Sequence, residues 1–385
     1  MPDGALDGLL VADFSRVLAG PLCTQTLGDL GADVVKVERP GTGDDTRQWG
    51  PPFVDEGSTY FLGLNRGKRS LTLDLRDPAD QTLARELCER ADVVLESFRP
   101  GAMDRLGLGY ADVRRTNPGV VYTSISAFGS GAETRDLPGY DLLVQAMSGY
   151  MSITGDPGGP PRKPGTALAD MLTGLYATIG TLAALQARDR SGTGQHVEVS
   201  LMDSALAALL NLGSSFLNTG VVPGRSANRH PSIAPYETFR AADRDLALAG
   251  GNDAIFERLC AVLGRPELAT DERFRANADR VAHRDALTAE LEAAFAADTA
   301  DAWAARLNAA GVPAGPVNDV AEAFALAERL GLEPVLELDG VRTTRSPLRL
   351  DVTPVRAVRR PPRLGEHDEE LRAWLSSPSP ADAAP

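Results

Sequence analysis

Asp170 lies where a loop containing Gly and Pro enters a long apolar segment, within GTALADML (residues 165–172). This setting has two interpretations. In the first, Asp170 is a helix N-cap whose carboxylate accepts hydrogen bonds from the first-turn amides, and composition alone favours this role. In the second, those amides and the helix dipole keep the carboxylate ionised in a dry pocket, where it can act as a covalent nucleophile.

Three arginines, Arg39, Arg76 and Arg105, each follow a predicted strand within a few residues or begin the connection after it. Ligands of open α/β sheets collect outside the carboxyl ends of the strands. Arginine in that position can clamp a phosphate with two parallel hydrogen bonds. Each residue alone is typical of a solvated surface. With three at equivalent points of the topology, an anion site and a solvated surface are both open interpretations.

Other common catalytic signatures are absent from the sequence. It has no GxSxG elbow, no P-loop and no HExxH, so the usual hydrolase, nucleotide-hydrolysing and zinc-peptidase motifs are missing. None of the histidines has a partner at metal-ligand spacing, so we expect structural roles for them and no metal site. These histidines are His196, His230, His283 and His367.

In the first 130 residues, short β-rich runs alternate with helical patterns. This alternation predicts an α/β fold with a mostly parallel sheet, whose elements would position the side chains above. The beginning is Rossmann-like but lacks a GxGxxG turn, so dinucleotide binding is not predicted. Strands are expected at 9–14, 33–38, 70–75, 92–96 and 120–126, and helices at 20–30 and 80–90.

A long helix is predicted at 166–188, where leucines and an isoleucine recur every three or four residues on one face. Gly174, Ala177, Thr178, Thr181 and Ala184 form a small-residue face beside it, which predicts close packing against another helix. A strand at 195–200 and a buried helix at 201–217 are expected next.

The predicted domain order follows from these patterns. Residues 1–200 form the first part of a large Rossmann-like domain, 201–235 a helix and linker, and 236–325 a separate helical region with helices at 254–263, 285–297 and 299–310. The chain then returns to the large domain at 326–375 and ends in a disordered tail at 376–385.

Composition narrows the function classes. The chain has 385 residues, 43% of them hydrophobic and 24% charged, which is a globular balance. Its net charge of -14 argues against nucleic-acid binding, which depends on Lys and Arg. The three cysteines are far apart in the sequence and there is no apparent signal peptide, so we expect a cytoplasmic protein. There is no run of about 20 apolar residues, so we expect no membrane association.

Motifs spread along the whole chain, in order, resemble CoA-transferase family III, the group of formyl-CoA transferase and carnitine CoA-transferase. The segments that carry the resemblance are DFSRVLAGP (13–21), GADVVKVER (31–39), NRGKRS (65–70), FRPGAMDRLG (98–107), GYD (139–141), TGQHVEVS (193–200), GVPAGPV (311–317) and LGEH (364–367).

The resemblance implies a role for each of several residues. Asp170 takes the place of the catalytic aspartate, and Tyr140 that of a tyrosine in the acyl pocket. Trp49 and Tyr60 fall near positions that shape acyl specificity. The expected contacts to CoA are Val17, Leu18, Arg39, Leu73, Arg76, Phe98 and Arg105.

The resemblance also implies a reaction and an architecture. CoA would move from an acyl-CoA to a carboxylic acid through an aspartyl mixed anhydride and an aspartyl-CoA thioester, with CoA thioesters as substrates and no tightly bound cofactor. The expected fold is a Rossmann-like large domain built from both chain ends, with a smaller α+β domain inserted between them. Two such chains would form an interlocked, ring-shaped homodimer.

Two departures from the family leave alternatives open. Related racemases carry a histidine base before the aspartate, whereas Tyr140 precedes Asp141 here, and a phenol is a poor base near neutrality. A glycine-rich lid is also not evident beyond residues 250–252. The alternatives are a 2-methylacyl-CoA racemase or epimerase and a CoA-binding protein without turnover. The sequence leaves the donor and acceptor acids open.

Overall fold

The chain divides into two units in the computed structural model, which describes residues 4–55, 57–356 and 359–378. Unit 1 consists of Met1–Met151, Lys163–Val222 and Glu333–Pro385, and unit 2 of Ser152–Arg162 and Pro223–Leu332. Unit 2 therefore begins earlier than the predicted helical region at 236–325 and includes residues 152–162. Of the predicted tail, residues 379–385 lie outside the described residues, and Ser376 ends a helix.

The secondary structure is numbered in chain order. The strands are β1 (Leu10–Phe14), β2 (Asp33–Glu38), β3 (Phe53–Val54), β4 (Gly57–Ser58), β5 (Arg69–Thr72), β6 (Val93–Glu96), β7 (Val121–Ser126), β8 (His196–Ser200), β9 (Tyr236–Arg240), β10 (Asp245–Ala249), β11 (Ala314–Pro316), β12 (Val335–Leu338) and β13 (Val341–Thr344). The helices are α1 (Ala19–Asp29), α2 (Thr59–Leu64), α3 (Pro78–Arg90), α4 (Ala102–Arg105), α5 (Tyr110–Thr116), α6 (Asp141–Met147), α7 (Tyr150–Ile153), α8 (Leu168–Ser191), α9 (Leu201–Ala207), α10 (Leu210–Thr219), α11 (Asp253–Val262), α12 (Asn277–Ala282), α13 (Arg284–Phe295), α14 (Ala300–Ala309), α15 (Val320–Arg329) and α16 (Asp368–Ser376).

A parallel sheet in the order β5-β2-β1-β6-β7-β8 forms the centre of unit 1. Its inner strands are largely apolar and buried, as expected of a parallel sheet covered by helices on both faces. Strands β2 and β5 lie on one side of β1 and the later strands on the other, so the order reverses between β1 and β6. Such a reversal creates a ligand crevice at the carboxyl ends of the strands. The predicted parallel α/β sheet is confirmed.

Helices α1 and α8 pack closely because small residues meet there. A Cβ added at Gly174 would lie 2.7 Å from the carbonyl oxygen of Ala19, so only glycine fits at this crossing. The small face of α8 is its buried face, which confirms the predicted close helix packing. The leucine-rich face is partly open instead, with Leu175 44% and Ile179 61% exposed in the single chain.

The prediction of one continuous helix at 201–217 is wrong, because the structure has two helices there. Helix α9 ends at Ala207, and α10 begins at Leu210, whose φ of 46° lies in the left-handed region. That conformation is uncommon for a residue other than glycine. The residues at the break are Ala and Leu, which are strong helix formers, so the local sequence carries no signal for it.

Unit 2 has its own core around an antiparallel sheet in the order β11-β10-β9. Helices α11, α13 and α14 correspond to the helices predicted there and supply most of the buried side chains. The Gly-rich segment noted at 250–252 follows β10, and Asn252 is the N-cap of α11.

One cation in unit 2, Arg280, is fully buried and ties loop carbonyls together. Its guanidinium group donates to the carbonyl oxygens of Ala234 (2.7 Å), Phe274 (2.9 Å) and Gly251 (3.0 Å), and to the carboxylate of Asp253 (2.7 Å). Its removal would take this donor away from the three carbonyl oxygens.

We therefore expect Arg280→Met to lower the free energy of unfolding by about 2–4 kcal/mol, because Met fills a similar volume but donates no hydrogen bonds. Urea denaturation measures the loss. The exposed Arg275 serves as a matched control, and Arg275→Met should change the free energy of unfolding by less than about 0.5 kcal/mol. Equal losses in the two variants would contradict the role of the buried hydrogen bonds.

Among the described residues, α8 is long and apolar enough to cross a membrane, judged by length and composition alone. The core helix of a soluble protein passes the same test, so this property decides little.

Candidate active site

The loop after β1 lies at the point where the strand order reverses. Val17 has a φ of 71°, a left-handed conformation that is strained for a β-branched residue. The Val17 N–H donates to the Asp44 carboxylate at 3.3 Å, and the Arg16 N–H donates to Ser97 Oγ at 3.0 Å. Strain of this kind persists where the surroundings enforce it, and it is concentrated at functional sites. The loop is therefore a candidate ligand-binding segment.

Two buried ion pairs hold this loop. The Lys36 ammonium group lies 2.9 Å from the Asp44 carboxylate and donates to the carbonyl oxygen of Ser15 at 2.9 Å. The Lys68 ammonium group lies 3.0 Å from the Asp13 carboxylate. Burial opposes charge on both partners of the first pair and is the largest single influence on each. The attraction between them, with the charges of Asp13 and Glu38 on Lys36 and hydrogen bonds from Thr46 to Asp44, outweighs it, so the pKa of Lys36 is raised and the pKa of Asp44 is lowered. The loop is thus anchored by a charged network.

A cavity of about 390 Å³ opens at the carboxyl ends of β1, β2, β5 and β6. Arg39 follows β2 directly, Leu73 follows β5 directly, and Arg76 and Phe98 complete the four predicted CoA contacts that line this cavity. Apolar walls beside three guanidinium groups, those of Arg16, Arg39 and Arg76, suit a nucleotide, whose base packs on apolar surface and whose phosphates pair with arginine.

A second cavity, of about 210 Å³, is lined by Asp170 together with Val17 and Tyr140. Arg16 and Phe98 line both cavities, so the two spaces adjoin at this pair. The Arg16 guanidinium carbon lies 5.4 Å from the centroid of the Phe98 ring. A ligand with a nucleotide at one end and a reactive group at the other could therefore extend from the first cavity to Asp170.

The first turn of α8 is capped by a residue of another helix. The N-cap of α8 is Ala167, which makes no side-chain capping bond, and Asp170 lies in the first turn. Asp141, the first residue of α6, accepts hydrogen bonds from the N–H groups of Ala169 (2.8 Å) and Asp170 (3.4 Å). The N-cap interpretation of Asp170 is therefore wrong.

The environment of Asp170 opposes its ionisation. Burial is the larger cause and the neighbouring charge of Asp141 the second, and together they raise the pKa of Asp170 to about 7. The expectation that helix amides would hold this carboxylate ionised is wrong, because Asp141 occupies those amides. Asp170 is thus a carboxyl group whose charged form is disfavoured, which is common in active sites.

Two of the three aromatic residues predicted for the acyl pocket lie close to Asp170. The rings of Trp49 and Tyr60 pack edge to face with centroids 5.6 Å apart. The pKa of Tyr60 is raised to about 12 by burial and then by the charges of Asp170 and Asp141. Tyr140 is 66% exposed in the single chain and lines the cavity with Asp170. The structure thus brings Tyr60 and Tyr140 near Asp170.

Two of the predicted CoA contacts, Leu18 and Arg105, are not among the residues that line these cavities. Leu18 is the N-cap residue of α1, next to Val17, and Arg105 is an exposed residue at the end of α4. Within the described part of the chain, neither of these residues lines the two cavities above.

Sequence reasoning missed three contributors to the site. Arg16 connects the two cavities, Lys36 anchors the loop after β1, and Asp141 caps α8. Asp141 and Arg16 both lie within motifs that carried the family resemblance. A lysine in the middle of the predicted strand at 33–38 is a signal for Lys36, since a central strand seldom buries a cation without a partner.

The chain is similar to known proteins over nearly its whole length. A model of CoA-transferase family III matches residues 6–368. The chain is 45% identical to the acetyl-CoA:oxalate CoA-transferase of Acetobacter aceti, over 91% of this chain and 90% of that protein. It is 43% identical to the succinate–glutarate CoA-transferase of Agrobacterium fabrum, over 97% of this chain and 96% of that protein. The crystal structure of a CaiB/BaiF family protein from Brucella suis superposes with a TM-score of 0.90 at 44% identity, covering 97% of this chain and 100% of that one.

The parallel sheet, the paired cavities and these relatives define a CoA-transferase. The chain belongs to CoA-transferase family III, as its motifs predicted. Its named relatives act on acyl-CoA thioesters and carboxylic acids, and a racemase or epimerase activity is not favoured.

Proposed function

We propose that this enzyme transfers CoA from an acyl-CoA to a carboxylic acid with Asp170 as the covalent nucleophile. The observation that carries the proposal is the position of Asp170 in a cavity that adjoins, at Arg16 and Phe98, the cavity lined by Arg39, Leu73 and Arg76. The nucleotide part of CoA would occupy the larger cavity and the thioester the smaller one.

The proposed reaction has four steps. An Asp170 oxygen attacks the thioester carbonyl carbon, the C–S bond breaks, and CoA leaves as a thiolate. The thiolate then attacks the aspartyl carbon of this mixed anhydride and releases the donor acid. The acceptor carboxylate next attacks the aspartyl-CoA thioester and expels the thiolate again. Attack of the thiolate on the acceptor acyl carbon finally gives the new acyl-CoA and restores the Asp170 carboxylate.

A carboxylate suits this exchange because each intermediate stays at the acyl level and keeps the energy of the thioester. Water would hydrolyse the anhydride, so the site must exclude it. Partial burial of Asp170 between α8, α6 and the loop after β1 supports this requirement.

The substrates are proposed to be small carboxylic acids, with a dicarboxylic acid on at least one side of the exchange. The relatives compared above are named for oxalate, succinate and glutarate. Arg16 and Arg99 line the cavity that contains Asp170, and either guanidinium group could pair with a second carboxylate.

Mass spectrometry tests the function directly. Acetyl-, succinyl-, oxalyl- and butyrobetainyl-CoA are each mixed with a panel of isotope-labelled carboxylic acids, and formation of labelled acyl-CoA is followed. We expect exchange with at least one pair, and we expect hydroxylamine to mark Asp170 during turnover. Exchange without a hydroxylamine mark at Asp170 would refute its assignment as the nucleophile. If no pair of acyl-CoA and acid exchanged CoA, the chain would instead be a CoA-binding protein without turnover.

The arginines of the larger cavity should set the affinity for CoA thioesters. We expect Arg39→Gln and Arg76→Gln each to raise KM for the acyl-CoA by about tenfold, with kcat within about threefold of the wild type, because each loses one charge-assisted phosphate contact. Initial rates against acyl-CoA concentration measure this. Arg190→Gln, at the exposed end of α8, is the control and should leave KM unchanged.

We further propose that the enzyme works as an interlocked homodimer with unit 2 inserted in the large domain. Apolar side chains that one chain leaves open support a second copy as the occupant: Ile179 on α8 is 61% exposed and Leu217 on α10 is 81% exposed. No residue of α10 is buried in the single chain. Dissociation into folded monomers on dilution would contradict the interlocking.

We also propose a cytoplasmic location without membrane association. Cys23, Cys88 and Cys260 are free thiols, which supports a reducing compartment.

A further inference from the structure

Gln145 is a fully buried amide beside the acidic pair of the site. It lies one turn after Asp141 on α6, and its Nε2 donates to Asp141 Oδ2 at 2.7 Å. Its Oε1 is buried and has no hydrogen-bond partner among the described residues. The reverse orientation of the amide would bring two acceptor oxygens together, so the Asp141 carboxylate dictates the orientation seen. An unpaired buried carbonyl oxygen of this kind calls for an explanation.

The Asp141 carboxylate is held on both of its oxygens. Gln145 donates to Oδ2, and the first-turn N–H groups of Ala169 and Asp170 donate to Oδ1. Three N–H groups donate to the Asp141 carboxylate, which matches its acceptor-only character as an anion. Asp141 is thus fixed as a negative charge against the backbone of Asp170, with little freedom to turn away.

The fixed charge acts differently on the two states of Asp170. When Asp170 is a free carboxylate, two negative groups face each other in a partly buried site. When an oxygen of Asp170 attacks the thioester carbonyl carbon, its C–O bond forms, the C–S bond breaks, and the negative charge leaves on the CoA sulfur. Acylated Asp170 is neutral, so the repulsion from Asp141 disappears in the covalent state.

We propose that Gln145 is a positioning residue that holds Asp141 as a fixed anion and thereby favours the covalently acylated state of Asp170 over the free carboxylate. This inference rests on the proposed function, since it assigns a role within the covalent cycle. It also explains the unpaired Oε1, because the orientation that leaves this oxygen unpaired is the one that supports the anion.

Other charged or titratable groups lie near the acidic pair. Tyr60, on α2, is close enough for the charges of Asp170 and Asp141 to act on it. The wall of the cavity that contains Asp170 adds Arg16, Asp45, Arg99 and Tyr140. They are common to every variant considered below, so differences between the variants report on Gln145 and Asp141.

The test measures how much of the enzyme is covalently modified. The full-length enzyme is mixed with saturating succinyl-CoA, or acetyl-CoA if that is the faster donor, without an acceptor acid. It is then quenched with acid and its intact mass is recorded. We expect the ratio of adduct to free enzyme to fall about tenfold in Gln145→Met and at least as far in Asp141→Asn. The double variant should lose no more than Asp141→Asn alone, because Gln145 acts through Asp141.

Two variants separate positioning from packing. Gln25 on α1 is also a buried amide, and Gln25→Met should keep the wild-type adduct ratio even if it loses stability. Asp141→Asn removes the charge but keeps the geometry: its Oδ1 can still accept the α8 amides, and Gln145, turned over, can present Oε1 to the new Nδ2. This variant tests the inference even if Gln145→Met does not fold.

The outcomes distinguish the two proposals. If the wild type shows an adduct, and Asp141→Asn or a folded Gln145→Met shows the same ratio, the positioning role is overturned while the proposed function stands. Additive losses in the double variant also overturn it, because they indicate independent packing effects. If the wild type forms no adduct and exchanges no acid, the proposed function fails and the inference falls with it.

Discussion

Replacement of Asp170 by asparagine is expected to lower kcat for CoA transfer by at least about a thousandfold, while the KM for the acyl-CoA changes little. The carboxamide keeps the size of the side chain but is a poor nucleophile and cannot form the mixed anhydride. The nucleotide cavity around Arg39, Leu73 and Arg76 is untouched, so binding of CoA should persist. Steady-state exchange rates and isothermal titration with CoA measure the two properties separately.

The matched control for this substitution lies on the same helix. Asp189 is exposed near the far end of α8, so Asp189→Asn makes the same chemical change at a distance from both cavities. We expect wild-type turnover from it. The asparagine variant at position 170 should also lose the hydroxylamine-sensitive adduct, and turnover above about one hundredth of the wild-type rate would refute a nucleophilic role for Asp170.

The elements of unit 1 were largely predictable because their signals are local. Val34, Val35 and Val37 mark β2, Val93 and Val94 mark β6, and turn residues separate these runs. The inner strands of a covered parallel sheet are largely apolar runs, and parallel strands require helical crossovers, so the sequence contains the layer structure. The small face of α8 likewise predicted close packing against another helix, which the structure identifies as α1.

The parts that sequence reasoning missed depend on contacts between distant residues. Asp141 lies 28 positions before Ala169, whose N–H it accepts, and no pattern in the sequence links the two. The turn at Leu210 is built from strong helix formers, and unit 2 takes in residues 152–162, which show no repeat or periodic pattern. None of these features has a local signal in the sequence, so propensity and periodicity do not predict them.

The same arrangement predicts a steep pH dependence. Attack requires ionised Asp170, and its pKa is raised to about 7 by burial and by Asp141. As the pH falls through 7, protons bind the raised group and remove the nucleophile, so kcat/KM should fall about tenfold per pH unit below the pKa, and about a hundredfold between pH 8 and pH 5. Exchange rates at low acyl-CoA concentration across this range measure the acid limb.

Two substitutions show which group controls that limb. Asp141→Asn removes the neighbouring negative charge and makes ionisation of Asp170 easier, so the limb should move to lower pH. Burial also raises the pKa of Glu96 to about 7, but Glu96 lines a different cavity, and Glu96→Gln should leave the acid limb in place. If the limb moved in Glu96→Gln instead, Glu96 and not Asp170 would be the titrating group.

The raised pKa of Asp170 also affects the stability of the protein. Between about pH 4 and pH 7 the folded protein holds a proton at Asp170 that the unfolded chain releases, so this group lowers the free energy of unfolding as the pH rises. The melting temperature should therefore decline less over that range in Asp141→Asn than in the wild type, which thermal unfolding measures.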